Sequence, residues 1–125
     1  MSLSPSIPVV TPDPTFERRF EALSRYYRID DFESVYRFLR QNKDILDVAL
    51  EARERILGSF ESASLRIDLF RDPEEGWEQL FIVIRTTLSA EDAVERMDSL
   101  VDDWFIDKII ATGGILNITE EPDAL

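Results

Sequence analysis

Ser64-Leu65-Arg66-Ile67-Asp68-Leu69, then Asp72-Pro73-Glu74-Glu75-Gly76, then Leu80-Phe81-Ile82-Val83-Ile84 is the stretch that decides the fold. Leu65, Ile67 and Leu69 alternate with Arg66 and Asp68, the period of a strand with one buried face. Pro73 and Gly76 supply turn chemistry, and the five apolar residues 80–84 read as a second strand apolar on both sides. The result is a β-hairpin over 65–71 and 78–86, with its second strand at the centre of a sheet covered on both faces.

Upstream of the hairpin the period is helical. Phe16, Phe20, Leu23 and Tyr27 recur at i, i+4, i+7 and i+11 behind an Asp13-Pro14 start, so a first helix runs to about Ile29. Asp30 with Glu33 fits a capping box for a second helix carrying Phe32, Val35, Tyr36 and Leu39. Asn42 caps a third, with Ile45, Leu46, Ala49, Leu50, Ile56, Leu57 and Phe60.

Downstream, Ser89 with Asp92 opens a fourth helix whose apolar face holds Ala93, Val94, Met97, Leu100, Val101, Trp104 and Phe105. Gly113-Gly114 ends the helical part, and residues 115–119 read as a third strand. The fold class is therefore α+β: three N-terminal helices, then a β-β-α-β unit forming a three-stranded sheet packed with helices. The fourth helix is expected on one face and the earlier helices on the other, with the third strand parallel to the second through a right-handed crossover. Residues 1–14 hold Pro5, Pro8, Pro12 and Pro14 and read as a flexible arm. A single domain is expected over 15–120, and a tail over 121–125.

Composition narrows the chemistry. The 125 residues include no Cys and no His, which removes thiolate nucleophiles, disulfides, imidazole bases and Cys/His zinc sites together. Any catalysis must rest on carboxylates, Lys or Arg, with Mg²⁺ or Mn²⁺ as the compatible metals. The apolar run 80–84 is far short of the roughly 20 residues that span a membrane, and no secretory signal pattern opens the chain. The expected location is cytoplasmic, with no cofactor.

The net charge of −12 disfavours nucleic acid and anionic lipid as partners of the molecule as a whole. The charge is uneven: residues 1–43 carry seven basic and six acidic side chains, and residues 44–125 carry seven basic and twenty acidic.

Asp72-Pro73-Glu74, Glu78 through Thr86, Leu88-Ser89, Glu91-Asp92-Ala93, Met97-Asp98 and Trp104 resemble a family of short, functionally uncharacterised prokaryotic proteins. Phe38-Leu39 through Asn42 and Leu50-Glu51-Ala52 through Ile56 are similar to its preceding helical part. Members are sometimes encoded beside nuclease-type toxins such as PIN-domain proteins, so the resemblance implies an accessory, antitoxin-like role. It carries no catalytic or binding motif.

Three groups of residues are candidates for function. Glu91, Glu95, Asp98 and Asp102 fall within about 60° of one another on the fourth helix. Like charges so placed repel, by a few tenths of a kcal/mol per neighbouring pair. The stripe would receive a basic partner surface or hold a divalent cation, and its plain alternative is a solvated helix face. A metal-dependent hydrolase would combine these carboxylates with Asp68 and Glu78, although no Asp-x-Asp spacing singles out a catalytic pair.

Arg18, Arg19, Arg25, Arg28, Arg37 and Arg40 interleave with Phe20, Tyr26, Tyr27, Tyr36 and Phe38. That pattern suits an Arg-aromatic protein interface, or core aromatics flanked by ion pairs, better than a grip on bases and phosphates, because acidic residues share the segment. Trp77, just past the hairpin turn, packs over the sheet or anchors a partner. The reading that results is a non-catalytic protein-binding or regulatory domain. Its docking residues are Glu91, Glu95, Asp98, Asp102, Trp77, Tyr26 and Tyr27, its partner has a basic surface, and homo-oligomerisation is compatible. The alternative is a divalent-metal-dependent hydrolase built on carboxylates.

Overall fold

A computed structural model describes residues 13–60 and 62–122. The helices form where the apolar spacing places them, and their ends are set by short polar side chains. The Asp13 carboxylate accepts from the Phe16 N–H at 3.0 Å and starts α1, Pro14–Tyr26. Asp13 and Pro14 thus belong to the domain and not to the arm. Whatever the remainder of the arm does lies outside the described residues.

Asp31, rather than Asp30, caps α2, Phe32–Gln41, by accepting from the Ser34 N–H. Asn42 stands between α2 and α3, Lys43–Ser59, but its side chain donates backwards to the Phe38 carbonyl. It closes the second helix and leaves the start of the third without a side-chain cap.

The first helix stops earlier than its stripe suggests. Tyr27 turns extended, and Arg28–Ile29 form a two-residue strand β1 parallel to Arg66-Ile67. Among the described residues the sheet therefore has four strands, in the order β1-β2-β3-β4, where three were expected. β2, Ser64–Arg71, and β3, Glu78–Thr86, are the expected antiparallel hairpin, with Ile67 opposite Ile82. β4, Leu116–Pro122, runs parallel to β3 and includes two residues expected in the tail.

Between β3 and β4 lies one long helical stretch with a change of pitch. The Ser89 hydroxyl accepts from the Asp92 N–H and starts α4, Ala90–Leu100. The turn Val101–Phe105 is a π-helix, closed by the Ile106 N–H donating to the Val101 carbonyl, and α5, Ile106–Ala111, follows. Gly113 and Gly114 adopt φ of 66° and 79°, the left-handed conformation that ends a helix at little cost for glycine.

The helices do not sit on opposite faces of the sheet as expected. Leu65 and Ile67 of β2, Leu80, Ile82 and Ile84 of β3 and Leu116 of β4 point to one side. There they join a single core with residues of α1 to α4 and the π-turn, from Phe16 and Leu23 to Trp104 and Phe105, while α5 has no buried residue. Residues on the other side, Arg66, Asp68, Phe70, Phe81, Val83, Asn117, Thr119 and Glu121, do not belong to that core. The two parallel connections, β1 to β2 and β3 to β4, therefore lie on the same face. Because the two pairs of strands run in opposite directions, the connections have opposite hands, and one of them departs from the right-handed rule. The unbroken apolar run 80–84 is compatible with this because Phe81 is only half-buried. Val83, 4% exposed, is shielded without joining the main core.

Candidate functional site

Two surfaces carry the residues singled out by their chemistry. The first is the outer side of α4, the π-turn and α5. Glu91, Glu95, Asp98 and Asp102 are all exposed, and none forms an ion pair with a described residue. Beside them Val94, Ile106 and Ile110 are 48%, 44% and 74% exposed. Sequence periodicity assigned Val94 to the buried face and missed the two isoleucines.

The π-turn explains this arrangement. It carries an extra residue through one turn, so Trp104 and Phe105 both enter the core while Ile106 and Ile110 stay on the water side. The indole Nε1 of Trp104 donates to Glu51 Oε2 at 2.7 Å, and Lys108 approaches the other Glu51 oxygen at 3.6 Å. Among the described residues no three acidic side chains converge closely enough to hold a metal ion. The four carboxylates share a face and not a centre, and Asp68 and Glu78 lie in the hairpin on opposite faces of the sheet.

The second surface is the bare side of the sheet. A groove of about 390 Å³ runs between β2, β3 and β4, lined among others by Phe70, Phe81, Val83 and Glu120. At its centre the Arg66 guanidinium bonds Asp68 at 3.0 Å and Glu121 at 2.9 Å. These carboxylates push the Arg66 pKa up, and in return Arg66 holds the Glu121 carboxyl below its usual range. At the hairpin end Phe70 and Trp77 are 40% and 43% exposed, with ring centroids 5.5 Å apart, so Trp77 stands at the rim of the groove.

The tyrosines separate. Tyr26 is exposed and covered on one ring face by Arg53, 3.8 Å from the centroid. Tyr27 is in the core and not on a docking surface. Its hydroxyl donates to the Ala49 carbonyl at 2.8 Å, and burial pushes its pKa up. The physical reason is the early end of α1, which turns the ring under α3. Tyr36 donates to Glu17 at 2.6 Å, and that bond raises its pKa.

Five of the six arginines of this segment are engaged with carboxylates, Arg19 with Asp47, Arg25 with Glu21, Arg28 with Asp30, Arg37 with Glu78 and Arg40 with Glu17, while Arg18 is exposed and forms no ion pair with a described residue. They brace the helices and do not form a basic patch. No described helix is long and apolar enough to cross a membrane. The chain matches no protein-family model, no curated protein and no solved structure.

Proposed function

We propose that this chain is a non-catalytic protein-binding domain of regulatory kind that docks a basic macromolecular surface on the outer side of α4 and α5. The observation that supports it most is the band itself: four exposed carboxylates with no cationic partner among the described residues, interspersed with three exposed aliphatic side chains. A solvated face has no use for Val94, Ile106 and Ile110, whereas an interface uses apolar anchors inside a charged rim. The net charge of −12 speeds encounter with a cationic partner and helps to select it. A nuclease-type toxin, basic where it holds nucleic acid, is the kind of partner that suits such a band, and the role is then antitoxin-like.

The test is site-specific photo-crosslinking from position 110 in cells. The expected outcome is a crosslink to a basic protein, reduced several-fold when Glu91, Glu95, Asp98 and Asp102 are changed to Gln or Asn. Equal crosslinking from the neutralised variant, or none from either, would sink the reading.

A further inference from the structure

Among the described residues β4 is hydrogen-bonded on one side only. The Leu80 N–H donates to the Ile115 carbonyl at 2.8 Å, and Leu80, Ile82 and Ile84 lie opposite Leu116, Ile118 and Glu120. In a parallel ladder the residues flanking each partner make the bonds, so the backbone of residues 115, 117, 119 and 121 turns towards β3. The N–H and C=O groups of Leu116, Ile118 and Glu120 turn outward. A row of backbone donors and acceptors is thus presented along this edge of the sheet, the template on which another strand pairs.

Glu120 marks the same edge. Its Oε2 is buried and accepts no hydrogen bond from the described residues. A buried carboxylate oxygen without a donor is costly, and a cation arriving from outside satisfies it. On the same face of β4, two and four residues before it, stand Ile118, half-buried, and Leu116. An added strand therefore meets aliphatic neighbours at one end and a carboxylate at the other, on one face. On its second face it meets Asn117, Thr119 and Glu121, all polar.

We propose that β4 accepts an extended segment of the partner protein as a fifth strand. The segment alternates polar and aliphatic residues and carries a Lys or Arg opposite Glu120. This rests on the reading of the chain as a protein-binding domain and adds a second, chemically distinct contact to it. The backbone row supplies strand pairing, and Glu120 selects a basic segment over an acidic one.

The isotope-labelled full chain is titrated with the peptide Lys-Thr-Val-Thr-Val-Thr-Lys, which presents a Lys to Glu120 in either direction. Saturable amide shifts at Leu116, Ile118 and Glu120 are expected, with at least tenfold weaker binding of the peptide carrying Glu for Lys. A peptide with Pro in place of both Val residues cannot pair and should leave the edge unmoved, a control that needs no change to the protein. Ile118→Pro removes one outward N–H while keeping the β3 ladder and should abolish the shifts, and Glu120→Gln should weaken binding several-fold. Shifts confined to residues 91–110 would overturn the fifth strand while leaving the helix-band function standing. Equal binding of the Lys, Glu and Pro peptides, or no shift in β4 with any of them, would overturn it as well.

Discussion

Glu51 receives the indole N–H of Trp104 at 2.7 Å, and this one bond ties the π-turn to the middle of α3. Trp104 is 7% exposed, so its N–H has no ready replacement acceptor if Glu51 is lost. Glu51→Leu should therefore lower stability by about 1–2 kcal/mol, the usual cost of an orphaned buried donor. Glu51→Gln keeps an acceptor oxygen and should cost well under half of that. Urea midpoints of the two variants check the difference. Equal losses would mean that charge, through Lys108 and Arg55, matters more than the bond.

Neighbouring residues of β3 should respond differently to a buried charge. Ile82 faces the helices and is fully enclosed, whereas Val83 faces the bare side with Arg66 opposite it. Ile82→Asp should prevent folding, through the cost of an unpaired charge in the core. Val83→Asp should leave a folded domain with a lowered thermal midpoint, because Val83 lines the groove outside the main core and Arg66 stands opposite to compensate the charge. Circular dichroism melts of the pair decide it, and failure of both to fold would show that the sheet is covered on each face.

The acidic band predicts a stability effect of unusual sign. Changing Asp98 and Asp102 together to Asn relieves like-charge repulsion at i, i+4 and should leave stability equal or raise it by a few tenths of a kcal/mol. Mn²⁺ and Mg²⁺ should shift the thermal midpoint of native and variant proteins alike at matched ionic strength. A saturable Mn²⁺ effect that the double substitution removes would instead promote the metal-dependent hydrolase.

Acid should act through two carboxylates. Asp13 is held below its usual pKa by its hydrogen bond to Lys43, then by the Phe16 N–H, and Glu121 by its bond to Arg66. A depressed pKa means stability that is present above the unfolded value, about 4, and lost as pH falls through the lower folded value. Asp13→Asn can still accept from the Phe16 N–H but no longer titrates. It should reduce the stability at pH 6 and flatten its decline below pH 4, as read from urea midpoints across that range. An unchanged acid limb would show that Lys43 contributes nothing at this helix start.

Legibility of the fold in the sequence followed the length of each signal. The alternation of Leu65, Ile67 and Leu69 and the turn at Pro73 and Gly76 located the hairpin, because period and turn chemistry agreed. Arg28-Ile29 could not be found that way, since two residues define no period, and Tyr27 continued a helical stripe while lying in extended backbone. The run 80–84 showed that β3 is central but not which face the helices cover, since Phe81 and Val83 look the same under a helix as under neighbouring side chains. The acidic band was visible as i, i+4 spacing. Its aliphatic partners were not, because the extra residue of the π-turn lies between Val94 and Ile106 and no spacing rule announces it.

That extra residue also bears on how the segment tolerates changes in length. A π-turn spends five residues on roughly the rotation that an α-helix completes in four, so it stores one residue without rotating the helix beyond it. Removing Asp102 or Asp103 would let the turn relax to α-helical pitch while Ile106 and Ile110 keep their bearing relative to Val94. An insertion into an uninterrupted helix would instead swing them by about 100°. The outer face of residues 90–111 is thus buffered against single-residue deletion at one place, and homologues that differ there in length are expected to present the same band.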